Sequence, residues 1–148
     1  MTPGRPRGFT LLEIMVALVI AVAAYALVAG VIFRGPSQYD LKTSARQLAA
    51  ALRQAQSTAM ATRRDTTLTL DVDTREFAVT GESQPHKLPE GLELKLYTAQ
   101  SEVENDKRAA IRFYPDGSST GGRITVALGE RKYLVDVDWL TGRVSIAD

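Results

Sequence analysis

The sequence predicts an α+β chain in which a long N-terminal helix, transmembrane and then amphipathic, packs on a C-terminal antiparallel β-domain of about seven strands. Three observations predict it. An uncharged apolar run of twenty residues, Ile14 to Phe33, stands near the N-terminus. Apolar residues then recur at helical spacing as far as Thr62. Beyond Arg64 the period changes to two, the mark of half-buried strands. With 148 residues, 45% of them hydrophobic and 24% charged, the chain has the length of one globular domain plus an anchor.

The first element is the apolar run. At 1.5 Å per residue it spans roughly 30 Å, the thickness of a bilayer's hydrocarbon core. Tyr25 and Gly30 are its weak points. Arg5, Arg7 and the α-amino group precede it and Arg34 follows. The denser positive charge lies on the short leading side, so Met1 is expected in the cytoplasm and the bulk of the chain across the membrane. Such a run fits a secretory signal peptide, a plain signal anchor, or a segment with its own processing. Ala21-Val22-Ala23 and Ala24-Tyr25-Ala26 both have the small-x-small form that signal peptidase accepts. Glu13 weighs against that enzyme. A carboxylate at the centre of a membrane helix costs about 2.5 to 3.5 kcal/mol, and somewhat less near an end, so something must compensate it.

The second element starts where Gly35-Pro36 interrupts the run. Ser37 with Asp40 three residues on has the form of a capping start. Leu41, Ala45, Leu48, Leu52, Ala55 and Ala59 then share one helix face, with Lys42, Arg46, Arg53, Arg63 and Arg64 on others. The pattern predicts an amphipathic helix from Ser37 to Thr62 that continues the first with a kink near Pro36 and packs on its own globular domain.

The strands follow. Thr67 to Val72 alternates, Asp73-Thr74-Arg75 can turn, and Glu76 to Val79 is the hairpin partner. Leu92 to Tyr97 alternates after a Pro89-Glu90-Gly91 turn. Ala109 to Tyr114 is stopped by Pro115-Asp116-Gly117. Arg123 to Leu128, Lys132 to Val137 and Arg143 to Ile146 complete the set, with turns at Gly129-Glu130 and Thr141-Gly142. Thr98 to Arg108, of mixed charge and without apolar period, is expected to be a mobile loop.

Composition excludes much chemistry. With no cysteine there are no disulfides, thiolate metal sites or cysteine nucleophiles. His86 is the single histidine, and no nucleophile–base pair or metal cluster is visible, so no catalytic residue, metal or cofactor is expected and the chain does not read as an enzyme. Asp71 with Asp73 and Asp136 with Asp138 put carboxylates two apart on a strand, but too few to meet calcium's six to eight oxygens, and they read as solvated faces. His86 reads as an exposed loop residue, and Trp139 as a core or turn-packing aromatic that could alternatively anchor an interface. A formal charge of +1, with basic doublets such as Arg63-Arg64 and Arg131-Lys132 too sparse for a common surface, gives no nucleic-acid patch.

Gly8-Phe9-Thr10-Leu11-Leu12-Glu13, between a short basic leader and a long apolar helix, resembles the type III signal of type IV pilins and type II secretion pseudopilins. The resemblance implies cleavage by a prepilin peptidase between Gly8 and Phe9, N-methylation of Phe9, and pairing of Glu13 with the N-terminal amine of a neighbouring subunit. That pairing supplies the missing compensation. It implies four segments: a cleaved leader (1–8), a transmembrane and filament-core helix (9–33), an amphipathic extension (34–64) and a periplasmic β-domain (65–148). Cleavage removes Arg5 and Arg7 and turns the net charge negative.

The stretch Ile111-Arg112-Phe113-Tyr114-Pro115-Asp116-Gly117-Ser118-Ser119-Thr120-Gly121-Gly122, followed by Arg123-Ile124-Thr125-Val126, is similar to the strand-turn-strand signature of the protein H family of minor pseudopilins, which shares its domain with fimbrial-transport minor pilins. The likeness runs from Gly8 to Ile146. The major pseudopilin is less similar, since its calcium-loop region has no match. The resemblance implies a structural subunit near the tip of the periplasmic pseudopilus of type II secretion. Its implied partners are other pseudopilins in a helical filament, the prepilin peptidase and the inner-membrane assembly platform. Its implied location is the inner membrane, single-pass with the N-terminus cytoplasmic, and later the pseudopilus. A type IV minor pilin for priming or DNA uptake, or a plain signal-anchored periplasmic domain, are the alternatives.

Overall fold

The computed structural model describes residues 9–32, 35–99, 103–105 and 107–148, with side chains left out at 27–32 and 103–105. The chain divides into two compact units, Met1–Gly35 and Pro36–Asp148.

The first unit holds α1, Leu11–Ile32. Every described residue from Phe9 to Ala26 is exposed, including Leu11, Leu12, Val19 and Ile20. The helix is apolar all round rather than striped, so nothing in its own unit buries it; such a helix requires lipid or a bundle around it. Among the described residues no helix is long and apolar enough to cross a membrane. The described side chains of α1 stop at Ala26, roughly 22 Å from Leu11 at 1.5 Å per residue. The span expected from Ile14 to Phe33 runs past them.

The second unit begins with α2, Gln38–Thr62. The helix is a fresh start rather than a kinked continuation, because Gly35, Pro36 and Ser37 are non-helical. Ser37 caps it: its Oγ accepts from the Asp40 amide at 3.3 Å, while Asp40 Oδ2 accepts from the Ser37 amide at 2.8 Å. This reciprocal box satisfies donors that a first turn otherwise leaves open. Arg63 in the left-handed region (φ 54) ends the helix.

The strands are β1 (Thr66–Asp71), β2 (Glu76–Val79), β3 (His86–Lys87), β4 (Glu93–Thr98), β5 (Val103–Asn105), β6 (Arg108–Phe113), β7 (Gly122–Leu128), β8 (Arg131–Val137) and β9 (Val144–Ala147). They form two antiparallel sheets, ordered β3-β2-β1-β6-β5 and β4-β7-β8-β9. The nine described strands include the seven expected. The additions, β3 and β5, are two and three residues long. Two expectations change. The 98–108 segment is not wholly a loop, since β5 pairs with β6 through Val103 and Ala109. His86 is in a strand rather than a loop, opposite Phe77.

The core lies between α2 and both sheets. Leu41, Ala45, Leu48, Leu52, Ala55 and Ala59 are all buried, and Ala49 with them. They meet Leu68, Leu70, Ile111 and Phe113 of the five-stranded sheet and Ile124, Val126 and Val135 of the other. Alternation along β1 is strict, with Thr66, Leu68 and Leu70 inward. Arg131 Nη1 donates to Gln38 Oε1 (2.7 Å) at the start of α2 and Gln56 reaches Thr141 near its end. Thus β8 runs alongside α2, and the turns at 115–121 and 138–142 gather at the C-terminal end of that helix.

Candidate functional site

The N-terminal motif is the first candidate. Gly8, with Arg5 and Arg7, lies outside the described residues. Phe9 is 78% exposed and precedes a cap that sequence reasoning missed. Thr10 Oγ1 accepts from the Glu13 amide at 3.2 Å, and the Thr10 carbonyl accepts from the amides of Glu13 and Ile14. Thr10-Leu11-Leu12-Glu13 has the Ser/Thr-x-x-Glu spacing of a capping box, so the signal was there to be read. Glu13 is the acidic residue of the first turn, where the positive end of the helix dipole favours a carboxylate. Among the described residues no cation pairs with it. Four-residue spacing puts Phe9, Glu13, Ala17 and Ala21 along one face.

The second candidate is the pair of turns beyond the end of α2. After Phe113 the chain reverses through Pro115-Asp116-Gly117, with the Gly117 amide donating to the Tyr114 carbonyl at 2.9 Å. The side chain of Ser118, followed by its amide, bonds Asp116 and holds its carboxyl below the usual carboxylate range. Asp138 organises the other turn. Its Oδ1 accepts from the amides of Thr141 (2.8 Å) and Leu140 (3.1 Å) and from Thr141 Oγ1 (2.8 Å). Those bonds, the Thr141 amide first, lower its pKa. Gln56 joins both turns to α2, as Nε2 donates to the carbonyls of Gly117 and Thr141, each at 2.9 Å. Gly142, at φ 63, fits beneath them; a Cβ there would collide with the Gly117 carbonyl and the Gln56 amide.

The remaining candidates resolve into structural partners. Asp71 caps its hairpin by accepting from the amides of Thr74 and Asp73, both at 3.0 Å, and Asp73 pairs with Lys107 at 2.6 Å. Asp136 pairs with Arg123 across β7 and β8. His86 stacks on Phe77 with ring centroids 5.1 Å apart, and its Nε2 lies 3.2 Å from Glu82. Among the described residues no group of three potential ligands could hold a metal. Trp139 is not a core residue: it is 66% exposed, because its backbone carbonyl is engaged by the Ser119 amide while its side chain projects from the turn. Arg63, Arg64, Arg131 and Lys132 fall at opposite ends of α2, so they form no common patch.

Comparison with known proteins bears on both candidates. The prokaryotic N-terminal methylation motif matches residues 4–24, and the family model described as type II transport protein GspH matches residues 44–141. The type II secretion system protein H of Xanthomonas campestris pv. campestris is 31% identical over 138 residues, covering 93% of this chain and 81% of that protein. Among solved structures, the minor pseudopilin EpsH of Vibrio cholerae superposes with a TM-score of 0.59 at 14% identity, over 74% of this chain and 97% of the other. The type IV minor pilin FimU of Pseudomonas aeruginosa gives 0.58 at 15% identity, over 75% and 90%. The solved structures establish likeness of fold; the sequence relationships carry the assignment: the chain belongs to the GspH family of type II transport proteins.

Proposed function

We propose that the chain is a minor pseudopilin of type II secretion, a structural subunit near the tip of a periplasmic pseudopilus that helps export folded proteins across the outer membrane. One observation carries this reading: a methylation motif over residues 4–24 and a GspH domain over 44–141 stand in the same chain. The prepilin peptidase removes residues 1–8, and Phe9 becomes the N-methylated end. Residues 9–33 anchor the subunit in the inner membrane with its N-terminus cytoplasmic, then move into the filament core. Residues 34–64 extend the helix region and 65–148 form the periplasmic domain.

The physical support is in α1. A helix that is apolar on every side gains little hydrophobic free energy on passing from lipid to a protein bundle, so packing and polar pairing must supply specificity. Glu13 is the group placed to do so. Exposed and without a cation of its own among the described residues, it pairs in assembly with the amine of a neighbour's Phe9. Assembly on the inner-membrane platform with sister pseudopilins follows, and no step of this role requires catalysis.

The likeness to FimU, at a TM-score of 0.58, favours a second reading, a minor pilin of a type IV pilus. A deletion strain separates the two. Loss of exoprotein secretion with twitching intact supports the pseudopilin; loss of twitching with secretion intact supports the pilin.

A further inference from the structure

We propose that the outward face of the four-stranded sheet, where Tyr97 and Trp139 stand, is a binding groove for an uncharged sugar chain of equatorially linked pyranose rings. The inference goes beyond the assembly role and does not depend on Glu13 or the leader. Strand register brings Tyr97, Arg123, Asp136 and Ser145 into one row across β4, β7, β8 and β9. Alternation puts that row on the face opposite buried Ile124 and Val135. Four strands at the usual spacing make the row about 14 Å long, which a few linked rings span. Trp139 lies beside Gly121, where an added Cβ would stand 3.0 Å from its own Cβ. Together these residues line a groove of about 1120 Å³, large for a single ring and suited to a short chain of them.

Three properties select the ligand. Tyr97 is 81% exposed and Trp139 66%, so two flat aromatic faces are open to the apolar C–H faces of sugar rings. The charges cancel. Arg123 and Asp136 hold each other, which leaves one carboxylate, Asp138, and one guanidinium, Arg143. Asp138 takes its turn bonds through Oδ1, so among the described residues its Oδ2 accepts nothing and the Arg143 guanidinium donates nothing. The Asp138 amide donates to the Arg143 carbonyl at 3.0 Å, which sets the open acceptor and the open donor on facing residues. A carboxylate ligand would meet Asp138 and an ammonium would meet Arg143, each a like charge. A hydroxyl donates to the one and accepts from the other. Finally, the surrounding backbone is already bonded. β7 and β8 are paired on both sides, Gly121 is engaged at its amide and its carbonyl, and the Trp139 carbonyl accepts from the Ser119 amide. A peptide laid across this face would find few partners for its own amides and carbonyls, whereas a sugar needs only the side chains.

Trp139 is the single tryptophan, so its emission reports on the groove directly. The test titrates the full chain in phosphatidylcholine vesicles with four probes. Chitotetraose is the uncharged sugar, its deacetylated ammonium form the basic one and a hyaluronan tetrasaccharide the acidic one; the fourth is an uncharged peptide alternating leucine with serine. Chitotetraose should shift Trp139 emission to the blue and saturate below about 10 mM. The other three should bind about tenfold more weakly or not at all. Tyr97→Ala, an exposed change, should weaken chitotetraose about tenfold or more, as loss of an aromatic anchor does. Tyr97→Phe keeps the ring and should bind within about twofold of the parent. No saturable shift with chitotetraose, equal affinity for either charged sugar or for the peptide, or binding indifferent to Tyr97→Ala would each overturn the proposal. So would a loss in Tyr97→Phe as large as that in Tyr97→Ala.

Discussion

Gln56 Nε2 donates to the carbonyl oxygen of Gly117 at 2.9 Å, and its second hydrogen reaches the carbonyl of Thr141 at the same distance. One amide on α2 thereby ties down both the turn within the Ile111–Val126 strand-turn-strand stretch and the separate turn at 138–142. Gln56→Ala removes two neutral hydrogen bonds, worth about 1–3 kcal/mol together. Urea unfolding should show that loss, with Tm lower by several degrees. A change under about 0.5 kcal/mol would mean the turns hold themselves.

Ser44 points the other way. It is 1% exposed in the middle of α2, and its Oγ has no partner among the described residues. An unpaired buried hydroxyl costs about 1–3 kcal/mol, and serine is a poorer helix former than alanine. Ser44→Ala should therefore raise stability by about 1 kcal/mol or more in the same assay, and a loss would place an unseen partner on the hydroxyl.

The pH response has a definite sign. Backbone and side-chain donors of Ser37 hold Asp40 below its ordinary value of 3.8; the Thr74 amide foremost does so for Asp71, the Ser118 hydroxyl for Asp116, and the Thr141 amide for Asp138. A carboxyl with a depressed folded pKa contributes stability that is fully present above its unfolded value and is lost as pH falls through the folded one. The urea midpoint should stay flat down to about pH 4 with respect to these groups and fall below it. Asp138→Asn should shrink that fall. An undiminished acid loss in the variant would remove the 138–142 turn from the account.

These expectations rest on a fold that was partly legible. The α2 stripe, the β1–β2 hairpin and strands β4 and β6 to β9 were readable because each repeats its period long enough to register. β3 and β5 were not, since two or three residues carry no period and owe their pairing to neighbours. The end of helix continuity at Gly35–Ser37 was half legible: the box of Ser37 and Asp40 was recognised, but its meaning as a new start was not. Trp139 misled because a large aromatic is ordinarily buried, whereas here the turn spends its backbone bonds inward. The Thr10 cap was legible in the Thr10-Leu11-Leu12-Glu13 spacing, since its hydroxyl accepts from the amide three residues on.

Thr10 and Glu13 give separable outcomes. Thr10→Val deletes the cap and should cost α1 about 1 kcal/mol, seen as faster amide exchange in its first turn. Glu13→Leu should leave the membrane-bound fraction unchanged while co-purification with sister pseudopilins drops about tenfold or more, because the proposed pair with a neighbour's amine would lose one member. Secretion at the parental level in the Glu13→Leu strain would remove that carboxylate from assembly.

Mass spectrometry of the protein extracted from membranes tests the central claim most directly. The chain should begin at Phe9, lack Met1 to Gly8, and carry one added methyl group on the new N-terminus. An N-terminus at or near Tyr25, or an intact leader in a strain with active prepilin peptidase, would contradict it.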